Sequence, residues 1–149
     1  MTKAETIRRL ILGDLRKIFR HRYGPTLTDD DAGRDDLELL SRVDSLSPKA
    51  AVEKMRFEVE ILAPWMLETE ATNLIDNLLR LDLRLRRLTG KEAGVKIRLT
   101  NAERERFKVW RIAPVDMTAA DLVEQRRAKD RERRRRERAE RVQCHARLI

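Results

Sequence analysis

Three features of the sequence point to an all-α protein: a small helical domain followed by a long, arginine-rich C-terminal helix. Apolar residues recur at three- and four-residue spacing along most of the chain. Helix start signals (Ser, Thr or Asp caps, two with Glu three places on) recur at short intervals. No stretch of alternating polar and apolar residues stands out, apart from a short hint at Val95 to Leu99.

The first helix carries Ile7, Ile11, Leu15, Ile18 and Phe19 on one face and Arg9, Arg16, Lys17 and Arg20 on another arc. Tyr23-Gly24-Pro25 ends it, because glycine accepts the cap conformation and proline cannot continue a helix. The next helix is predicted over Thr28 to Val43, with Thr28 able to cap and Asp29, Asp30 and Asp31 complementing the helix dipole. Leu37, Leu40 and Val43 supply its buried face, while Gly33 argues against an unbroken helix.

Ser47-Pro48 is an N-cap followed by proline at the first helical position, and opens a third helix. Val52, Met55, Val59 and Leu62 keep the period until Pro64, with Trp65 and Met66 packed at the corner. Glu68 to Leu88 is predicted as one helix, with leucines at 74, 78, 81, 85 and 88 and Ile75 at helical spacing, the strongest core signal in the chain. Thr89 with Glu92, and Thr100 with Glu103, resemble capping boxes. Gly94 limits the first of these helices, and the second is predicted to run through Phe107 and Trp110 to a stop at Ala113-Pro114. Thr118 and Asp121 open the last helix, with Met117 and Leu122 placed as a hydrophobic staple. The expected division is a helical body over residues 1–117 and a basic helix and tail over 118–149.

The 149 residues suit one domain of ordinary size. Charged residues make up 40% and apolar residues 41%, which leaves room for a modest core. A single cysteine, Cys144, excludes an intrachain disulfide and a cysteine-rich zinc site and suits a reducing cytoplasm. The longest apolar run, Ile61 to Leu67, is far short of the roughly 20 residues of a membrane span and contains Pro64. The basic face of the first helix could lie on an anionic membrane, but its apolar face is explained more simply as core. No membrane partner is expected.

The net charge of +8 is unevenly placed: +5 over residues 1–23, −5 over 24–38, +1 over 39–125 and +7 over 126–149. Arginine outnumbers lysine 26 to 8. In the body this reads as compositional bias, but the C-terminal run has a geometry. At about 100° per residue, Arg127, Arg131, Arg134, Arg135, Arg138 and Arg141 share one side of a helix within an arc of roughly 120°. Asp130, Glu132, Glu137 and Glu140 lie outside it. Asp130–Arg134, Glu132–Arg136 and Glu137–Arg141 are i,i+4 pairs in the favourable orientation, each adding about 0.2–0.5 kcal/mol to an isolated helix.

Such a helix fits a DNA major groove or an RNA surface, with arginines toward phosphates. Basic-region helices of dimeric transcription factors have this look, but no heptad repeat follows the run here. Aromatics do not interleave with the arginines, which disfavours a base-stacking mode. Two other readings stand beside it: an inert, solubilising tail, or a tail that docks on an acidic protein surface such as the chain's own Asp29 to Glu38. The favoured expectation is non-catalytic binding of DNA or RNA through the six arginines. The alternative is a helical protein–protein interaction module with an inert charged tail.

Catalytic and metal constellations fail on spacing. Asp29, Asp31 and Asp35 do not match a calcium loop, since Gly33 comes one place early and no glutamate occupies the twelfth position. His21 and His145 lack ligand-like neighbours, and Cys144 beside His145 has nothing to orient it. No glycine-rich phosphate loop is present. The expectation is therefore no enzyme activity, no cofactor and no metal. A helix-turn-helix around Pro114 is disfavoured by the long Arg111 to Met117 connection.

Three stretches carry a resemblance. They are Leu99 to Arg106 with Ile112 to Thr118 and the arginine-rich end, Arg22 to Asp36 with Tyr23-Gly24 and the aspartate run, and Ala63-Pro64-Trp65-Met66. Together they look like a pattern of a bacterial protein family of uncharacterised function, over about two-thirds of the chain. The resemblance implies a bacterial cytoplasmic protein and no particular reaction.

Overall fold

The computed structural model describes residues 2–46 and 52–147, with side chains through residue 146. Among these residues the protein is all-α, with eight helices: α1 (Lys3–Tyr23), α2 (Asp31–Asp44), α3 (Val52–Leu62), α4 (Glu68–Arg80), α5 (Leu83–Arg86), α6 (Gly90–Ile97), α7 (Asn101–Phe107) and α8 (Ala119–Arg147). The chain divides into two compact units, Met1–Val115 and Asp116–Ile149.

Thr2 opens α1 with a reciprocal capping box: its hydroxyl accepts from the Glu5 amide and the Glu5 carboxylate accepts from the Thr2 amide. Ile11, Leu12, Leu15, Ile18 and Phe19 form the buried face of α1, so the apolar side of this helix is core, while Ile7 stays partly exposed. Gly24 ends the helix at φ 82°, its N–H returning to the Arg20 carbonyl.

The second helix starts later than the sequence predicts, and its cap is Asp30, not Thr28. The Asp30 carboxylate accepts the Gly33 amide at 2.8 Å and the Thr28 hydroxyl at 2.7 Å. These two donors hold its carboxyl below the usual range. Gly33 does not break the helix. A Cβ there would lie 2.0 Å from the Thr28 carbonyl oxygen, so glycine is what lets the incoming loop cross the first turn. Leu37, Leu40 and Val43 are buried as expected.

The predicted Ser47-Pro48 start of α3 lies outside the described residues. Within α3, Met55 and Val59 are buried, whereas Val52 faces solvent. The corner after it is tied to the loop before α2. The Leu27 amide donates to the Leu62 carbonyl at 2.7 Å, and the Trp65 indole donates to the Leu27 carbonyl at 2.8 Å.

The single helix predicted over Glu68 to Leu88 breaks. Leu81 is extended, and Asp82 caps a separate short helix by accepting the Arg84 amide. Tertiary hydrogen bonds hold the second piece: Arg42 donates to the carbonyls of Arg86 and Arg87, and Arg86 donates to the Ser45 carbonyl. Of the leucine-rich run, Ile75 and Leu78 join Met55 in a small buried cluster, while Leu81, Leu83 and Leu85 are exposed. The main core lies elsewhere. It gathers the buried faces of α1 and α2, Val59 and Ala63, and Ala93, Ile97, Leu99, Phe107, Val109 and Ile112.

Both predicted capping boxes form, at Thr89–Glu92 and Thr100–Glu103. The strand hint at Val95 to Leu99 is instead the end of α6, closed by Arg98 in the left-handed region at φ 50°. Lys108 at φ 54° likewise stops α7 before Trp110. Gly94 does not limit α6; together with Gly90 it makes the helix fit. A Cβ at either position would sit within 2 Å of a carbonyl oxygen, of Arg111 and Ala113 respectively, so these backbones touch directly. The Ala113 amide donates to the Gly90 carbonyl and the Val115 amide to the Leu99 carbonyl.

Two side chains of α1 complete this arrangement. The Asp14 carboxylate accepts the amides of Trp110 and Arg111 at 3.0 and 2.8 Å. Arg22 makes a two-pronged pair with Glu103 and also donates to the Ile97 carbonyl at 2.7 Å. Arg22 holds the Glu103 carboxyl below its usual range, so the stabilisation from this pair is lost as pH falls through that lowered value.

Asp36 behaves oppositely. Burial raises its carboxyl, and the Tyr23 hydroxyl, donating at 2.6 Å, partly restrains the rise. A raised folded pKa means that the folded state binds the proton more readily than the unfolded chain, so this group favours folding as pH falls from neutral. Tyr23→Phe is expected to cost about 1–3 kcal/mol at pH 7 by leaving a buried carboxylate unpaired. The cost should shrink as pH is lowered and Asp36 takes up its proton; urea denaturation at pH 7 and across the acidic range reads it. Gly94→Ala should lower the urea midpoint by about 1–3 kcal/mol equivalent. Gly13→Ala, with nothing within 4 Å of the added carbon, should raise stability by about 0.5–1 kcal/mol.

Candidate nucleic-acid interface

The C-terminal unit begins with a capping box of its own. Thr118 accepts the Asp121 amide at 3.1 Å and donates its own amide to the Asp121 carboxylate at 2.9 Å. The two Thr118 donors hold the Asp121 carboxyl below its usual range. From there α8 runs for 29 residues, roughly 43 Å at 1.5 Å per residue. Its interior carries neither glycine nor proline and is dominated by arginine, glutamate and alanine, residues of high helix propensity. This length exceeds the roughly 12–15 residues below which an isolated helix is marginal. From residue 126 to 146 every residue is exposed, so no apolar face supports this part of the helix.

All six predicted arginines, 127, 131, 134, 135, 138 and 141, lie on α8 and are exposed. The acids interleaved with them are not spread evenly over the cations. Glu132 pairs with Arg136, as the i,i+4 spacing predicts. Asp130, however, takes Arg133 at 3.3 Å rather than Arg134. Glu137 and Arg141 form no ion pair with any described residue. Rotation by about 100° per residue puts Arg133 and Arg136 on the side of the helix away from the predicted stripe.

Within the stripe, Arg131 alone is engaged, by Glu124 at 2.7 Å. Sequence reading missed this pair because it looked for partners one turn away. The signal was the seven-residue spacing, which returns a side chain to nearly the same line after two turns. Arg127, Arg134, Arg135, Arg138 and Arg141 make no ion pair with any described residue. The result is a row of five guanidinium groups without an ion pair to any described residue, with the ion pairs of Asp130 and Glu132 lying off the row. Exposed ion pairs of this kind are weak and screened by salt, so they tune the distribution of charge more than they hold the helix.

Two of the other candidate residues have structural uses. Asp29 pairs with Arg34 at 2.8 Å, and the His21 ring stacks on Phe107 with centroids 4.5 Å apart. Among the described residues no three or more His, Cys, Asp or Glu side chains gather as a metal site. Cys144 is exposed. No helix of the described residues is long and apolar enough to cross a membrane. Comparison with protein-family models, with curated proteins and with solved structures finds no match for this chain.

Because α8 carries helix propensity but no core residues over 126–146, loosening it should leave the body intact. The double substitution Ala128→Gly and Ala139→Gly costs about 1 kcal/mol per site in helix propensity. It is expected to reduce far-ultraviolet ellipticity while leaving unchanged the urea midpoint reported by Trp65 and Trp110 fluorescence.

Proposed function

We propose that the protein binds DNA or RNA without catalysing a reaction, contacting phosphates through the arginine row of α8. The observation that supports this reading best is the pairing pattern. Asp130 and Glu132 are engaged by Arg133 and Arg136, which lie off the stripe, and five of the six stripe arginines make no ion pair with any described residue. A guanidinium presents its donors in a planar fork suited to phosphate oxygens. Contacts of this kind are electrostatic and weakly selective for sequence, with a dissociation constant of about 10⁻⁴–10⁻⁶ M at physiological salt. Neutralising four or five phosphates gives a slope of log K against log salt of roughly −4. The absence of aromatic side chains from residues 119–146 favours contact with the backbone over stacking between bases.

A charge-matched pair of variants tests the row. Arg134→Gln, Arg135→Gln and Arg138→Gln remove three stripe cations; Arg126→Gln, Arg133→Gln and Arg136→Gln remove three from elsewhere on the helix. In anisotropy titrations of a short labelled duplex, the first set should weaken binding at least about tenfold and flatten the salt slope by roughly 3. The second set should do much less. Equal effects from the two sets, or undiminished binding after truncation at Gln125, would overturn the assignment.

A further inference from the structure

The body carries a second feature that the arginine row does not explain. Between the C-terminal half of α1, the loop of residues 24–27 and α3 lies an open groove of about 720 Å³, within the range of about 300–1,000 Å³ common for binding clefts. Its walls are mostly apolar. Two large side chains in it, Phe57 and Ile61, are 63% and 52% exposed and stand four residues apart on one line of α3. The inward residues of that helix, Met55 and Val59, are already buried, so the core has no call on Phe57 and Ile61. Leaving two such neighbours in water is costly unless something covers them.

The rim is of one sign. Arg16, Lys17, Arg20 and Lys54 line it, against a single carboxylate, Glu58. That carboxylate is engaged by Arg16 at 2.7 Å. Arg20 and Lys54 make no ion pair with any described residue. An apolar trough between cations complements a helix whose apolar side is flanked by acids. The chain's own surplus charge, which is positive and concentrated beyond residue 125, has the wrong sign to fill it.

We infer that the groove between α1 and α3 docks an acidic amphipathic helix of a protein partner, with Phe57 and Ile61 receiving its apolar anchors and Arg20 and Lys54 its carboxylates. This is the helix-in-groove mode, in which anchors recur at i, i+3 or i+4, and i+7. It involves none of the α8 arginines and stands or falls separately from the nucleic-acid reading.

Selection from a display library of random helical-length peptides against the full chain provides the probe. Enriched peptides are expected to combine apolar residues at that spacing with glutamate or aspartate. Their binding, measured by anisotropy, should fall at least tenfold in Phe57→Ser/Ile61→Ser. It should also fall, with loss of salt dependence, in Arg20→Glu/Lys54→Glu. Both pairs are surface substitutions, and unchanged circular dichroism and urea midpoint verify folding. Enriched peptides lacking acids, peptides whose binding ignores both variant pairs, or no enrichment would overturn the inference. So would displacement of the selected peptides by oleate at lower concentration than by one another, which assigns the groove to a fatty acid. Concentration-dependent dimerisation in sedimentation that Phe57→Ser/Ile61→Ser abolishes would assign it to a second copy of the chain and would also overturn the inference.

Discussion

The direct meeting of two backbones at Gly90 and Gly94 is the constraint from which the second half of the body follows. With no side chain in the way, α6 lies against residues 111–113 closely enough for the Ala113 amide to reach the Gly90 carbonyl. That approach allows Val109 and Ile112 to be fully buried. It also sets the 110–111 amides where Asp14 of α1 accepts them, and brings Val115 to the Leu99 carbonyl. A methyl group at either glycine would push these layers apart, and the apolar residues beneath would lose packing that no neighbour could replace.

The arginines of the two units do different physical work. In the body, several guanidinium groups satisfy carbonyls left over at helix ends. Arg8 donates to Leu46, Arg22 to Ile97, Arg42 to Arg86 and Arg87, and Arg86 to Ser45. The last carbonyls of a helix have no partner within it, and a long cationic donor supplies one while complementing the dipole. This gives the body's arginines a use that composition alone could not suggest. In the interior of a long helix every carbonyl is already satisfied. Arginines along α8 therefore have only nearby acids to turn to. Glu124, Asp130 and Glu132 pair, and only Arg131 of the row is among their partners, so most of the row makes no ion pair with any described residue.

Much of the architecture was legible. Capping boxes at Thr89 and Thr100, the stop at Gly24 and the opening of the last helix at Thr118 are local effects, decided within three or four residues. Reading them requires nothing from the rest of the chain. The misreadings share a cause. The helix predicted over Glu68 to Leu88 has a fully helical pattern, yet it breaks at Leu81, and the short helix after it is held at its C-terminal end by distant Arg42. Gly33 and Gly94 look like breakers by propensity, but each admits a backbone from elsewhere. The apolar line of Phe57 and Ile61 is present in the sequence at i,i+4 spacing. Periodicity marks a face without saying whether the fold covers it.

The sequence by itself determined that the protein is helical, that helices begin after Thr89, Thr100 and Thr118, and that a solvated arginine-rich helix ends the described chain. Those outcomes rest on propensity, capping and charge within a turn or two. Tertiary structure alone decided which leucines are core, that Gly90 and Gly94 are indispensable, and that a cation-rimmed groove stays open beside α3. Each of these depends on groups that are far apart in the chain and meet only when the body packs, and no local pattern encodes which of them will meet.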